Sequence, residues 1–353
     1  MVRTKRGFFY KEFVDNGYVA LGFNILDKNK LNAIKTDEDR KSLKEELDYK
    51  YGNKKNQGTQ IFNKCVRFIN EIKPGDIIMI PSSGSEEVAF ALAGEYFEVS
   101  ELDYKKEIEI INQIEVDKDK EMVIMCPYKK RRKITIIKKV NGKRLNPNLY
   151  KALASIHGIS SLEDYAEHIL SSIYSIYHWN NKISLVFNVE KESAINALAL
   201  SSFIYNSASL INNIVEDNNL FVSAKANLNS PGDIVLILQN LATTSVDILS
   251  NHKLFVAIIM IWIGIFGGKF GPIEFKSVVE LVLKWKTDNS KLESDKLERD
   301  LKNIQIEKER LALEKLLNEN AEKIQEASSL IEINRQDVNN VIDIASYLPK
   351  KGE

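Results

Sequence analysis

Residues 254–268, LFVAIIMIWIGIFGG, constrain this chain more than any other stretch. The run carries no charge, and Trp262 holds its only hydrogen-bonding side chain. As a helix it would be roughly 22 Å long, against a bilayer core of about 30 Å. Three readings follow: a short membrane span, a re-entrant or in-plane segment, and a helix buried in a soluble core. Gly264, Gly267, Gly268 and Gly271 punctuate its far end, ahead of Pro272. Glycine costs about 1 kcal/mol inside a soluble helix. Four together therefore suit either close helix packing in lipid or a helix stop leading into a turn.

The stretch before 254 reads as folded, mixed-charge α+β protein, and the stretch after Lys284 as a charged helix. The 353 residues fit more than one domain, and 49 basic residues balance 49 acidic ones. Any footprint for nucleic acid must therefore be local. Two cysteines, Cys65 and Cys126, are too few for a disulfide framework or a structural zinc site. The start, MVRTKRGFFYKEF, has no apolar signal core, so the first domain is expected in the cytoplasm.

In residues 1–150 the pattern predicts strands at 17–25, 77–81, 88–99, 121–128 and 133–140, with helices at 37–50 and 61–72. Short strands with few helices suit a bent sheet or partly open β-barrel. The run KKRRK at 129–133 is the densest positive cluster. Alternate residues of a strand share a face, so Lys130, Arg132 and Lys138, with Arg131 beside them, are expected to follow a phosphate backbone. Such contacts carry affinity without sequence information.

The order GYVALGF, a polar helical insert, FINEIKPGDIIMIPSSGS, ALAGEYFEV, RRKITII and NPNLYKAL resembles the PUA-like and EVE-type domains found in some restriction and phage-defence proteins. That resemblance implies a pocket for a base or nucleotide. It would be lined by Tyr18, Gly22, Phe23 and Asn24 from the first strand, Ser82, Ser83 and Ser85 from the loop, and Tyr96 after Gly94. The family usually carries Trp on the early strand, where this chain has Phe23. Phe stacks on a base but donates no hydrogen bond.

Residues 151–229 predict a small α/β subdomain: helices at 148–156 and 161–177, strands at 183–189 and 220–228, and a helix at 191–215. His157, His168 and His178 lack metal-ligand spacing, and no cofactor motif is evident. GGK at 267–269 fails as a phosphate loop, because Phe270 stands where Ser or Thr is needed.

Residues 230–285 predict an apolar helical hairpin. SPGD at 230–233 has the form of a helix start, with the helix running to Ser250. Asn240, Thr243, Thr244 and Asp247 would share one face and line a water-filled pore. Lys269, Lys276, Lys284 and Lys286 follow the second arm, as a cytoplasmic exit requires. In residues 286–353 a helix is expected from Lys291 to Ile333, with Leu297, Leu301, Ile304 and Leu311 on a seam for oligomerisation, then a short helix at 338–349.

No catalytic constellation emerges. The organisation resembles membrane-acting effectors of bacterial anti-phage systems, including the Hailong type, which pairs a nucleotidyltransferase with a channel controlled by DNA oligomers. It implies a homo-oligomeric, ligand-controlled ion channel or pore in the inner membrane, contacting membrane lipid and sensing a nucleotide or single-stranded DNA oligomer. The alternative is a soluble oligomeric sensor of modified or single-stranded nucleic acid acting through a partner.

Overall fold

The computed structural model describes residues 1–52, 57–116, 125–154, 158–191, 193–215, 220–227, 232–240, 269–270, 273–274, 319–320, 322–333 and 341–342. They fall into two compact units, Met1–Ile173 and Tyr174–Glu353. The first division thus lies between Ile173 and Tyr174 rather than near residue 150.

The first unit is built on an antiparallel sheet curled into a half-barrel. Its strands are β1 (Tyr18–Leu21), β2 (Ile77–Pro81), β3 (Glu87–Glu98) and β4 (Lys130–Asn141), in the order β1-β4-β3-β2. The β3–β4 ladder shifts register between Phe90 and Ala91 and again between Ala93 and Tyr96. Such irregularities sharpen local twist and bend. Around the sheet lie α1 (Tyr10–Asp15), α2 (Lys28–Ala33), α3 (Asp37–Tyr51), α4 (Gln57–Val66), α5 (Tyr104–Val116), α6 (Asn148–Leu153) and α7 (Ala166–Ile173). Helix α3 starts on a capping box in which Thr36 and Asp39 each satisfy the other's backbone N–H. Phe9, Phe13, Leu26, Leu47, Phe68 and Ile80 fill the core. Residues 125–128, expected as a strand, are held by a side chain instead: the Cys126 N–H donates to the Glu12 carboxylate at 2.8 Å.

The second unit is a five-stranded sheet in the order β11-β5-β6-β8-β7. Its main strands are β5 (Ile176–Trp179), β6 (Lys182–Val189), β7 (Leu220–Asn227) and β8 (Gly232–Asn240). Asn180 and Asn181 both have positive φ between β5 and β6. A two-residue hairpin turn needs that geometry, and Asn tolerates it. Helix α8 (Ala197–Val215) packs Phe203 on Phe187, with ring centroids 5.1 Å apart. Two short pairs complete the described strands: β9 (Lys269–Phe270) with β10 (Ile273–Glu274), and β11 (Val341–Ile342), which runs parallel to β5.

Four expectations are corrected here. Residues 232–240 are a strand, not the first arm of a helical hairpin. Ile234, Leu236 and Leu238 are buried on one face, and Val235 and Ile237 on the other. A strand covered on both faces reads as a continuous apolar run, which periodicity alone does not separate from a buried helix. The boundary near 230 consequently cuts between β7 and β8, neighbours in one sheet. Asn240 lies on a strand, opposite Leu220, so the helical spacing that grouped it with Thr243, Thr244 and Asp247 does not apply to it. Those three lie outside the described residues, as do 254–268 and the proposed seam. Finally, Val341–Ile342 is strand rather than helix.

Within the tail, residues 322–330 are helical. Ile324, Ala327 and Ile331 are buried in the second core, so this part is packed rather than solvated. Among the described residues, no helix is long and apolar enough to cross a membrane.

Candidate functional site

The first unit's sheet has two ends, and the residues expected to share one pocket are divided between them. Leu21 and Glu98 both pair with Lys130 at one end, whereas Glu87 pairs with Asn141 at the other. Eleven strand steps of about 3.3 Å make that roughly 35 Å before twist and bulges shorten it. Phe23, Asn24 and Tyr96 belong to the first end. Ser82, Ser83 and Ser85 connect β2 to β3 at the second.

At the first end, the loop 22–27 leaves β1 with Phe23 in the left-handed region, at φ 67°. A bulky L-residue there is strained and persists only when its surroundings over-determine it. Here they do. The buried Glu107 carboxylate accepts from the Phe23 N–H at 2.6 Å, the Asn24 N–H at 2.8 Å and the Tyr51 hydroxyl at 2.7 Å. The Tyr51 oxygen in turn accepts from the Ile25 N–H at 3.3 Å. The Lys130 ammonium donates to the carbonyls of Phe23 at 2.7 Å and Leu26 at 2.8 Å. Gly22 makes room for this clamp: a Cβ on it would stand 2.8 Å from Glu107 Oε1 and 3.0 Å from the Tyr128 ring.

Asn24 is buried and bonded on both sides. Its amide nitrogen donates to the carbonyls of Pro127, Asp103 and Leu102, and its oxygen accepts from the Lys129 N–H. It positions the loop and is closed to a ligand. Asp27 caps α2 through the Lys30 N–H and binds the Lys129 ammonium at 2.8 Å. Burial raises the Asp27 pKa, but Lys129 and the Lys30 N–H outweigh it and hold the carboxyl below its ordinary range. Burial also pushes the Lys130 pKa down, opposed by Cys65, Glu107 and nearby carboxylates. Burial and then Glu107 drive the Tyr51 hydroxyl far up.

Half-buried Phe23 meets Tyr51 edge-on at 5.2 Å, and Tyr51 meets Tyr104 the same way at 5.2 Å. The Lys50 ammonium lies 5.4 Å from the Tyr104 ring and 5.5 Å from that of Tyr49, which is 85% exposed. Aromatic faces with a cation above them suit stacking against a base. Tyr96 is half-buried, donates to Glu98, and lies 5.9 Å below the Arg132 guanidinium.

The basic run behaves contrary to expectation. Lys130 and Arg132 point into the core, at 0% and 3% exposed. Arg132 donates to the carbonyls of Gly94, Phe68 and Ile69. Arg131 lies over the Tyr18 ring at 4.3 Å and donates to the Cys126 and Tyr128 carbonyls. Lys138 is half-buried, with its ammonium 3.4 Å from the Ile173 carbonyl. Tyr18 itself is buried and donates to Glu12. The physical reason is strand phase: Ile134 and Ile136 face inward, so 130 and 132 must as well. These residues are framework, not a track for phosphates.

Glu107, Tyr51 and Tyr104 escaped the sequence reading. Glu107 did leave a signal. With Ile110, Ile111 and Ile114 it falls on the apolar stripe of α5, and a carboxylate there needs partners. Among the described residues, no group of three or more His, Cys, Asp or Glu side chains could hold a metal ion. Both cysteine thiols are buried, and that burial raises their pKa values.

A family model described as a domain of unknown function, DUF8426, matches residues 2–111. No curated protein and no solved structure matches the chain. The matched span takes in the loop, Tyr51, Tyr104 and Glu107, but stops short of β4 and Lys130.

Proposed function

We propose that the chain is a nucleic-acid-responsive effector. Its first unit binds a nucleotide or a short single-stranded DNA oligomer at the Phe23 end of the sheet, and occupancy acts on the C-terminal part. One observation carries the reading. A strained, half-buried aromatic is held from beneath by a buried carboxylate and a buried ammonium, beside tyrosines and a lysine that suit base stacking. A binding surface fixed before the ligand arrives loses less entropy on association.

In its membrane form, the reading has a homo-oligomer insert residues 254–268 into the inner membrane as part of an ion channel or pore. The N- and C-terminal regions stay cytoplasmic, and a partner nucleotidyltransferase supplies the DNA oligomer. Control of this kind needs a ligand that binds the open and closed states unequally. A second reading, a soluble oligomeric sensor acting through a partner protein, draws support from one fact: 232–240 is a sheet strand. That leaves one apolar segment, rather than two, for lipid.

The test uses the full chain and a fluorescein-labelled single-stranded DNA dodecamer. Phe23→Ala is expected to weaken binding roughly 5- to 150-fold, the range for losing a stacked base; equal affinity in variant and parent rejects the site. Extraction of cell membranes separates the two forms: release by carbonate without detergent selects the soluble sensor, and retention selects the membrane effector.

A further inference from the structure

The other end of the sheet gathers charge in the open. Three segments meet there. Lys5, Arg6 and Gly7 follow one another at φ 49°, 58° and 94°, a short left-handed turn. Two consecutive L-residues with longer side chains rarely adopt that form. The turn is pressed onto the serine loop, since a Cβ on Gly7 would lie 2.1 Å from the Ser83 nitrogen. On the other flank, a Cβ on Gly142 would lie 1.9 Å from the Ser85 carbonyl oxygen, and the Gly142 N–H donates to Glu86 O at 2.7 Å.

Residues 5–7, 83–86 and 142–144 are therefore neighbours. The arrangement sets exposed Arg6 on one side of exposed Ser83, and exposed Lys143 and Arg144 on the other. The serine loop itself carries exposed Glu86 and, at the start of β3, half-buried Glu87, which accepts from the Tyr10 hydroxyl at 2.6 Å. Arg6 and Lys143 thus flank a loop whose exposed Ser83 carries a hydroxyl donor. Strain held at a solvent-facing arginine is the pattern of a functional turn.

We propose that Arg6, Lys143 and Ser83 bind the phosphodiester backbone of a nucleic-acid strand. The ligand class rests on the function proposed above, but the site does not, since it lies at the opposite end of the sheet from Phe23. Arginine grips phosphate oxygens with two parallel donors, lysine meets them as a point charge, and the serine hydroxyl donates a third bond. The contact is independent of base sequence and sensitive to salt.

The experiment measures anisotropy of a labelled single-stranded DNA 20-mer with the full chain, across a salt series. Arg6→Gly is the chosen variant because glycine accepts φ 58° without strain. It removes the charge while keeping or raising the melting temperature. Combined with Lys143→Gln, it should flatten the slope of log affinity against log salt by about 1.4 and weaken binding on the order of 25-fold at 0.1 M salt. Lys133→Gln, on the exposed face of β4 away from this end, serves as control and should leave both unchanged. Phe23→Ala should lower affinity without altering the slope, so failure of one site is told apart from failure of the other. Inorganic phosphate competing as well as the DNA, an unaltered slope in the double variant, or an equal loss with Lys133→Gln overturns the proposal. So does loss of binding to phosphatidylserine vesicles while DNA binding is retained, which would assign the patch to lipid headgroups.

Discussion

The two ends of the first sheet carry similar residues and use them oppositely. At the Lys130 end the cations are turned inward and bound to carbonyls, and half-buried Phe23 is held in a left-handed conformation by a buried carboxylate. At the Asn141 end the cations face solvent around a short serine loop. The lesson is that the density of charge along a chain says little about charge on a surface. The run KKRRK is the richest basic stretch, yet two of its members are among the most buried polar groups. Arg6 and Lys143, far apart in sequence, are exposed instead.

Four substitutions probe this contrast. The largest effect should come from Lys130→Met, which leaves two buried carbonyls without a donor and Glu107 without a nearby cation. Breaking one side of a buried charged arrangement removes about 3–5 kcal/mol, readable by urea unfolding. An effect under about 1 kcal/mol would show that Lys130 belongs with the exposed group after all. Glu107→Gln should follow at roughly 2–3 kcal/mol, because one of its three donors must lose a charged acceptor. Gly22→Ala should cost about 1–3 kcal/mol through overpacking against Glu107 and Tyr128, and thermal unfolding would report it. At the open end the sign reverses: Arg6→Gly should stabilise by up to about 1–2 kcal/mol through relief of left-handed strain.

The smallest effect concerns acid. The folded Asp27 carboxyl is held below its ordinary pKa, so its contribution is present above the unfolded value. That contribution fades as pH falls from there through the lowered folded pKa. Asp27→Asn should accordingly flatten the acid limb of the stability profile below about pH 4. An unchanged limb would place the Lys129 pair among surface contacts of no consequence.

Much of this was readable in the sequence, and the failures have physical causes. The bent sheet, the helix at Asp37–Tyr51 and the long helix ending at Val215 follow from periodicity and caps. The inward phase of β4 was also there to be read, because Ile134 and Ile136 have the same parity as Lys130 and Arg132. The charges mask that phase, because lysine and arginine ordinarily face solvent. Residues 232–240 failed differently, since a strand buried on both faces erases the alternation that would identify it. The split between Phe23 and Ser83 depended on ladder register, which composition does not encode. The strain at Lys5 and Arg6 left no trace in residue type.

The ladder of β1 has a temporal consequence. Its four residues bond to β4 alone, more than a hundred positions downstream. A ribosome must therefore translate well past the span that the family model covers before YVAL finds anything to zip against. Until then that segment is an open apolar edge, and a nascent chain stalled near residue 111 would be the form most in need of a chaperone.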